Sequence, residues 1–167
     1  MMLIPTLETL RYEGEPTVAA LIEKPAPGVH VRVSRVDVLQ GAGFAGDHAR
    51  KSFWKGEDVP GRHVTAIARE VLDVLGTAWD VPGDNLVTSG VDLSRLKEGD
   101  RLRMGNVTLI RTAKPHRPCD LFARRTSEEA RQAVLATGTR GALFEVESGG
   151  SLVTGQRVDV APLITSP

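Results

Sequence analysis

Seventeen glycines and ten prolines cut this chain of 167 residues into short apolar runs. Runs of that kind, each closed by a turn residue, form short strands more readily than the long helices of a bundle. Val18 to Ile22 is one such run, stopped by Lys24-Pro25-Ala26-Pro27-Gly28. Val31, Val33, Val36, Val38 and Leu39 give a second, partly alternating strand with Arg35 out of phase, and it empties into the glycine-dense stretch Gly41 to His48. Residues 49–61 are polar and read as a surface loop, and Val64 to Ile67 as a short strand. Arg101 to Met104, the Gly105-Asn106 turn and Val107 to Arg111 make a hairpin, and residues 142–146 and 152–160 are closing strands. Helical spacing appears in Arg69 to Leu75, stopped by Gly76, and in Ser127 to Thr137, where Thr126 and Glu129 have capping-box spacing and Gly138 is the stop. Residues 1–16 show little period and read as an extension or a loosely attached first strand; 161–167 read as a tail. The expected fold is a β-rich α+β domain over 17–160 with two or three peripheral helices. Its strands are expected to close into a barrel, because closure removes exposed edges.

Hydrophobic residues at 41% and charged residues at 25% describe a chain that folds around a core rather than a disordered one. Lys+Arg and Asp+Glu both number 21, so no bulk charge draws the chain to nucleic acid or to an anionic membrane. No apolar run approaches the roughly 18 residues that span a bilayer, and the first residues lack the basic flank of a secretory signal. The single cysteine, Cys119, cannot form an intramolecular disulfide, so the core must hold the fold and a cytoplasmic setting is expected.

Cys119 is also the one strong nucleophile and soft ligand in the chain. It follows Lys114-Pro115-His116-Arg117-Pro118, with Arg111 upstream and Arg124 and Arg125 downstream. Cationic neighbours favour a thiolate, and the flanking prolines stiffen the backbone that presents it. The plain alternative is a buried structural cysteine. Asp47 and His48 are polar site candidates or ordinary loop residues, and His30 reads as solvated. Asn85, after Pro82-Gly83-Asp84, can recognise a polar ligand edge or merely satisfy its own turn. Arg140 suits a phosphate or simply a solvated helix end. Gly41-x-Gly43-x-x-Gly46 has dinucleotide-binding spacing but no helix follows it, so the phosphate-cradle reading fails. The four histidines form no H-x-x-x-H pair and there is no C-x-x-C, which argues against structural zinc. G-x-S-x-G and P-loop signatures are missing as well.

Taken in order, several landmarks form a series: Gly43-Phe44-Ala45-Gly46-Asp47-His48, Pro82 to Leu86, the block Gly90 to Gly105, Arg117-Pro118-Cys119, and Arg140-Gly141 onward to Gly155. That series resembles the MOSC domain, the C-terminal domain of molybdenum cofactor sulfurases, which also occurs as small stand-alone bacterial proteins. The resemblance spans about residues 17–160 and implies a MOSC-type β-barrel. It implies binding of a molybdopterin-type molybdenum cofactor, with Cys119 as metal ligand or as carrier of sulfur. Asn85, His116, Arg117, Arg140, Asp47 and His48 are the corresponding cofactor-binding candidates. The partners implied are a cysteine desulfurase or a pyridoxal-phosphate-dependent sulfurase, or an electron-donor reductase if the chain is a stand-alone reductase of N-hydroxylated compounds. The chain is too short to hold a pyridoxal-phosphate domain of its own. Gly83-Asp84-Asn85 stands where the family often has Gly-Glu-Asn, and Gly155-Gln156 where Gly-Asp is expected. The segment after His48 is not the arginine- and histidine-rich run of many bacterial members. A third expectation, a barrel without ligand that acts through protein contacts, rests on those departures.

Overall fold

The computed structural model describes residues 2–48 and 61–163, so all but Gly61 of the loop read over residues 49–61 lies outside the described residues. The chain opens with helix α1 (Leu3–Glu8), where the sequence offered only an extension or loose strand, and Leu7 anchors it in the core. Strands β1 (Thr17–Ala26), β2 (Val29–Val33), β3 (Arg35–Leu39) and β4 (Gly43–Phe44) follow, then β5 (Val64–Ala68) leads into α2 (Arg69–Leu75). Strand β6 (Leu86–Ser89) precedes the hairpin of β7 (Arg101–Met104) and β8 (Val107–Arg111). Helices α3 (Asp120–Arg125) and α4 (Glu128–Thr137) are followed by β9 (Ala142–Ser148), β10 (Gly150–Val153) and β11 (Asp159–Ala161).

The barrel expectation is overturned. Eight strands form an open sheet in the order β11-β7-β8-β9-β5-β6-β1-β2, and a separate sheet of three has the order β10-β3-β4. The two margins of the large sheet, β11 and β2, do not pair with each other. The reason lies at Ser34. Strand β2 is hydrogen-bonded to β1, but past Ser34 the chain changes partners, and β3 aligns with β10 through Val36 opposite Leu152. The phase slip at Arg35 marks this change of sheet rather than an irregularity inside one strand. Helices number four among the described residues, against the two or three expected. None is long and apolar enough to cross a membrane.

Both faces at the centre of the large sheet are covered, which is why all five residues of β5 are buried. On one face Leu21, Val64, Leu86 and Phe144 pack with Val36, Val38 and Leu152 of the small sheet. On the other face Ile22, Ile67 and Val87 meet Val71 and Leu72 of α2, Phe122 of α3 and Val134 of α4. Helix α4 starts one residue later than its capping-box spacing predicts. The Ser127 hydroxyl accepts from the Ala130 amide at 3.0 Å, whereas the Thr126 hydroxyl donates back to the Phe122 carbonyl. The helix stop is as expected, with Gly138 in the left-handed region at φ 68°.

Candidate functional site

The strap of residues 112–119 links β8 to α3, and its His116, Arg117 and Cys119 line a cleft of about 410 Å³. Prolines at 115 and 118 keep the strap out of both neighbouring elements. Pro118 is buried, and the next residue, Cys119, is exposed with a free thiol on the cleft wall. The β1–β2 hairpin contributes Lys24, Gly28 and His30 to the lining, and α3 adds Phe122 and Arg125. Five side chains with guanidinium or ammonium groups line the cavity: Lys24, Arg62, Arg117, Arg125 and Arg140. Among the described lining residues they face a single carboxylate, that of Asp84.

Asp84 organises the floor. It is 1% exposed, and each of its oxygens takes one partner. Oδ1 accepts from His116 Nε2 at 2.8 Å, and Oδ2 accepts from Arg140 NH1 at 2.7 Å. Burial alone would raise the Asp84 carboxyl pKa, but the Arg140 guanidinium and the His116 hydrogen bond outweigh it and hold the group well below the usual carboxylate range. Burial, then the Arg140 charge, push the His116 imidazole below its ordinary 6.5, so the ring is neutral at pH 7. An ionised carboxylate only accepts, so the His116 proton sits on Nε2. Arg140 lies 4.7 Å above the Phe122 ring, and its buried Nε has no acceptor among the described residues.

These shifts fix the sign of a pH effect. A depressed folded-state pKa contributes stability above the unfolded value and loses it as pH falls. Stability is therefore expected to decline as pH drops below about 6.5 through His116, with a slope of up to about 1.4 kcal/mol per pH unit. A second decline below about pH 4 comes from Asp84. Urea unfolding midpoints between pH 8 and pH 3 check this, and a flat profile between pH 7 and 5 would contradict the buried neutral histidine.

The structure brings Cys119, His116, Arg117, Arg140 and His48 to this cleft and leaves Asn85 and Asp47 out of its lining. Asn85 is fully buried behind the floor. Its Oδ1 accepts from the Thr65 amide, and its Nδ2 donates to the Ile22 carbonyl and to Asp47 Oδ2. With both amide protons committed, Asn85 is a knot tying β1, β5 and the Asp47 turn together. Asp47 Oδ1 in turn accepts from the Lys24 amide at 2.8 Å, which fixes the wall that carries Lys24. Sequence reading missed Lys24, Arg62 and Asp84 as site residues, took Arg125 only as one of the cations near Cys119, and set His30 aside. Only Asp84 carried a signal, its place in the Gly-Asp-Asn turn. His30 Nδ1 donates to the Asp80 carbonyl at 2.8 Å, and its ring presses on Gly83. A Cβ at that glycine, held at φ +85°, would lie 2.5 Å from His30 Nε2.

Comparison with solved structures places this architecture among known ones. The YuaD protein from Bacillus subtilis superposes with a TM-score of 0.71 at 19% identity, covering 90% of this chain and 98% of that one. YiiM from Escherichia coli gives 0.65 at 18% identity, covering 90% of this chain and 72% of that one. YiiM from Geobacillus stearothermophilus gives 0.62 at 17% identity, covering 87% and 74%. At such identities the likeness is one of fold. No curated protein matches the sequence at a significant level. The sequence model of the MOSC domain, however, matches residues 59–159, from just before Arg62 through the strap to β11, and on that match the chain belongs to the MOSC domain family.

Proposed function

We propose that the cleft holds an anionic molybdenum–pterin cofactor of the molybdopterin type, with the Cys119 thiolate as the protein's soft ligand toward the metal. One observation carries the reading: the chain's single thiol is exposed on the wall of a cavity where, among the described residues, five cationic side chains and one buried carboxylate form the charged lining. The cavity volume of about 410 Å³ lies within the range of small-molecule sites. The donor set fits such a group. Lys24, Arg62, Arg117 and Arg125 would take its phosphate, guanidinium being suited to phosphate oxygens. Arg140 is held by Asp84 and Phe122, and its buried Nε has no acceptor among the described residues. When bound, the group supplies a molybdenum centre with affinity for soft sulfur ligands.

The test is elemental analysis and pterin fluorescence on protein made in a molybdenum-replete, cofactor-producing host. Near-stoichiometric molybdenum is expected in the native protein and its loss in Cys119→Ser. The unfolding midpoint should stay unchanged, since the thiol is exposed and packs no core. Native protein free of both metal and pterin would overturn the proposal.

The exposure of Cys119 also favours a second role, carriage of sulfur for assembly of the same cofactor. The Cys119 thiolate would attack the outer sulfur of a donor persulfide; the donor S–S bond breaks, a new S–S bond forms on Cys119, and the donor leaves as thiolate with no net oxidation. Incubation with a cysteine desulfurase and cysteine should then add about 32 Da to the native chain and nothing to Cys119→Ser.

A further inference from the structure

A cavity this rich in N–H donors is short of acceptors, and the acceptors decide what a bound anion must carry besides its charge. Two imidazoles on the lining have their protons fixed by partners. His30 Nδ1 donates to the Asp80 carbonyl, which leaves Nε2 as the lone-pair nitrogen of the neutral ring, lying beside Gly83. His116 Nε2 donates to the Asp84 carboxylate, which leaves Nδ1 as its lone-pair nitrogen. The two rings reach the same cleft from different elements, His30 from β2 and His116 from the strap. Neither remaining nitrogen bonds to a protein group among the described residues. Of the other side-chain acceptors on the lining, the Asp84 oxygens hold His116 and Arg140, and the Thr65 hydroxyl accepts from the Asn85 backbone amide.

We propose that His30 Nε2 and His116 Nδ1 are specificity determinants that select, among the anions the arginines attract, those that also bear N–H donors, namely the ring N–H and amino edge of an aminated heterocycle. The proposal rests on the cofactor-cleft reading above and adds to it the residues that distinguish a pterin from a bare phosphate. The ionised oxygens of a phosphate accept and gain nothing from a nitrogen lone pair, whereas an aminopyrimidinone edge presents N–H donors that the arginines cannot satisfy. The electrostatics keep both rings in the accepting form. Burial and then Arg125 lower the His30 pKa, with Lys24 adding to them against the Asp80 carbonyl; burial, Arg140 and Arg62 do the same for His116 against Asp84.

Two near-isosteric variants separate the accepting nitrogen from the structural donor. His30→Asn keeps a donor facing the Asp80 carbonyl and removes Nε2; His116→Gln keeps a donor facing Asp84 and removes Nδ1. Binding of neopterin monophosphate to the full chain is followed by its fluorescence, with inorganic phosphate as competitor, and the unfolding midpoint of each variant is recorded alongside. Each variant is expected to weaken the pterin probe about tenfold, the effect of one lost hydrogen bond, while phosphate competes equally well in all three proteins. Pterin binding at native strength in a folded variant would overturn the assignment for that histidine. Native protein that binds phosphate but not the pterin would overturn the whole proposal and leave the anion cleft standing, and native protein that binds neither probe would overturn the cofactor reading with it.

Discussion

Gly141→Ala is expected to destabilise the protein by on the order of 4 kcal/mol or more, a large part of the roughly 5–15 kcal/mol that holds a domain folded. The backbone there has φ +122°, which L side chains rarely adopt, and a Cβ would lie 1.9 Å from the Ala66 carbonyl oxygen. That oxygen belongs to β5, buried along its whole length, so neither partner can retreat without opening the sheet. Gly138 supplies the control. It too has positive φ, +68°, but nothing lies within 4 Å of its would-be Cβ. Alanine at that helix end should cost only about 1–2 kcal/mol. Urea unfolding of the two variants beside the native chain measures the difference, and equal midpoints would show that the close approach at Gly141 carries no weight.

The second large effect is expected at Asp84. Asp84→Asn leaves the Arg140 charge buried without its counter-charge, and breaking a buried pair in this way costs about 3–5 kcal/mol. A double variant, Asp84→Leu with Arg140→Met, removes both charges together. It should recover only part of that stability: apolar replacement of a buried pair is often close to neutral, but the buried His116 Nε2 proton loses its acceptor, which costs about 1–3 kcal/mol. The recovered protein should nevertheless hold phosphate more weakly than the native chain, because Arg140 is gone while Lys24, Arg62, Arg117 and Arg125 remain on the lining. Denaturation midpoints paired with phosphate competition separate the two consequences. Full stability in the single variant would mean that the Asp84–Arg140 contact at 2.7 Å contributes nothing.

What could be read from the sequence divides along the range of the forces involved. Helices α2 and α4 and the β7–β8 hairpin were legible because caps, glycine stops and a Gly105-Asn106 turn act within a few residues. The sheet was not. Barrel closure and the Ser34 switch depend on which distant strands pair, and an out-of-phase Arg35 looks the same whether a strand bulges or changes sheets. Short helices without strong caps, α1 and α3, escaped for the opposite reason: they are held by packing rather than by local signals, α1 by Leu7 and α3 by Phe122. In the site, the strap residues His116, Arg117 and Cys119 stood out because they are neighbours in sequence. Lys24 and His30 reach the cleft only through the pairing of β1 with β6 and β2, a contact spanning more than sixty positions, from Leu21 to Leu86. Asn85 drew notice for its polarity and turned out to spend all of it inward.

The placement of β2 gives the cleft two sides of unequal stiffness. Its floor, Asp84 and Arg140, adjoins β6 and β9, which are hydrogen-bonded along both flanks at the middle of the large sheet. The wall bearing His30 is the outermost strand, bonded only to β1 among the strands described. Local opening costs least where fewest interactions must break. The outer jaw is therefore the side of the cleft that opens at least cost, above an anvil held by strands on both flanks.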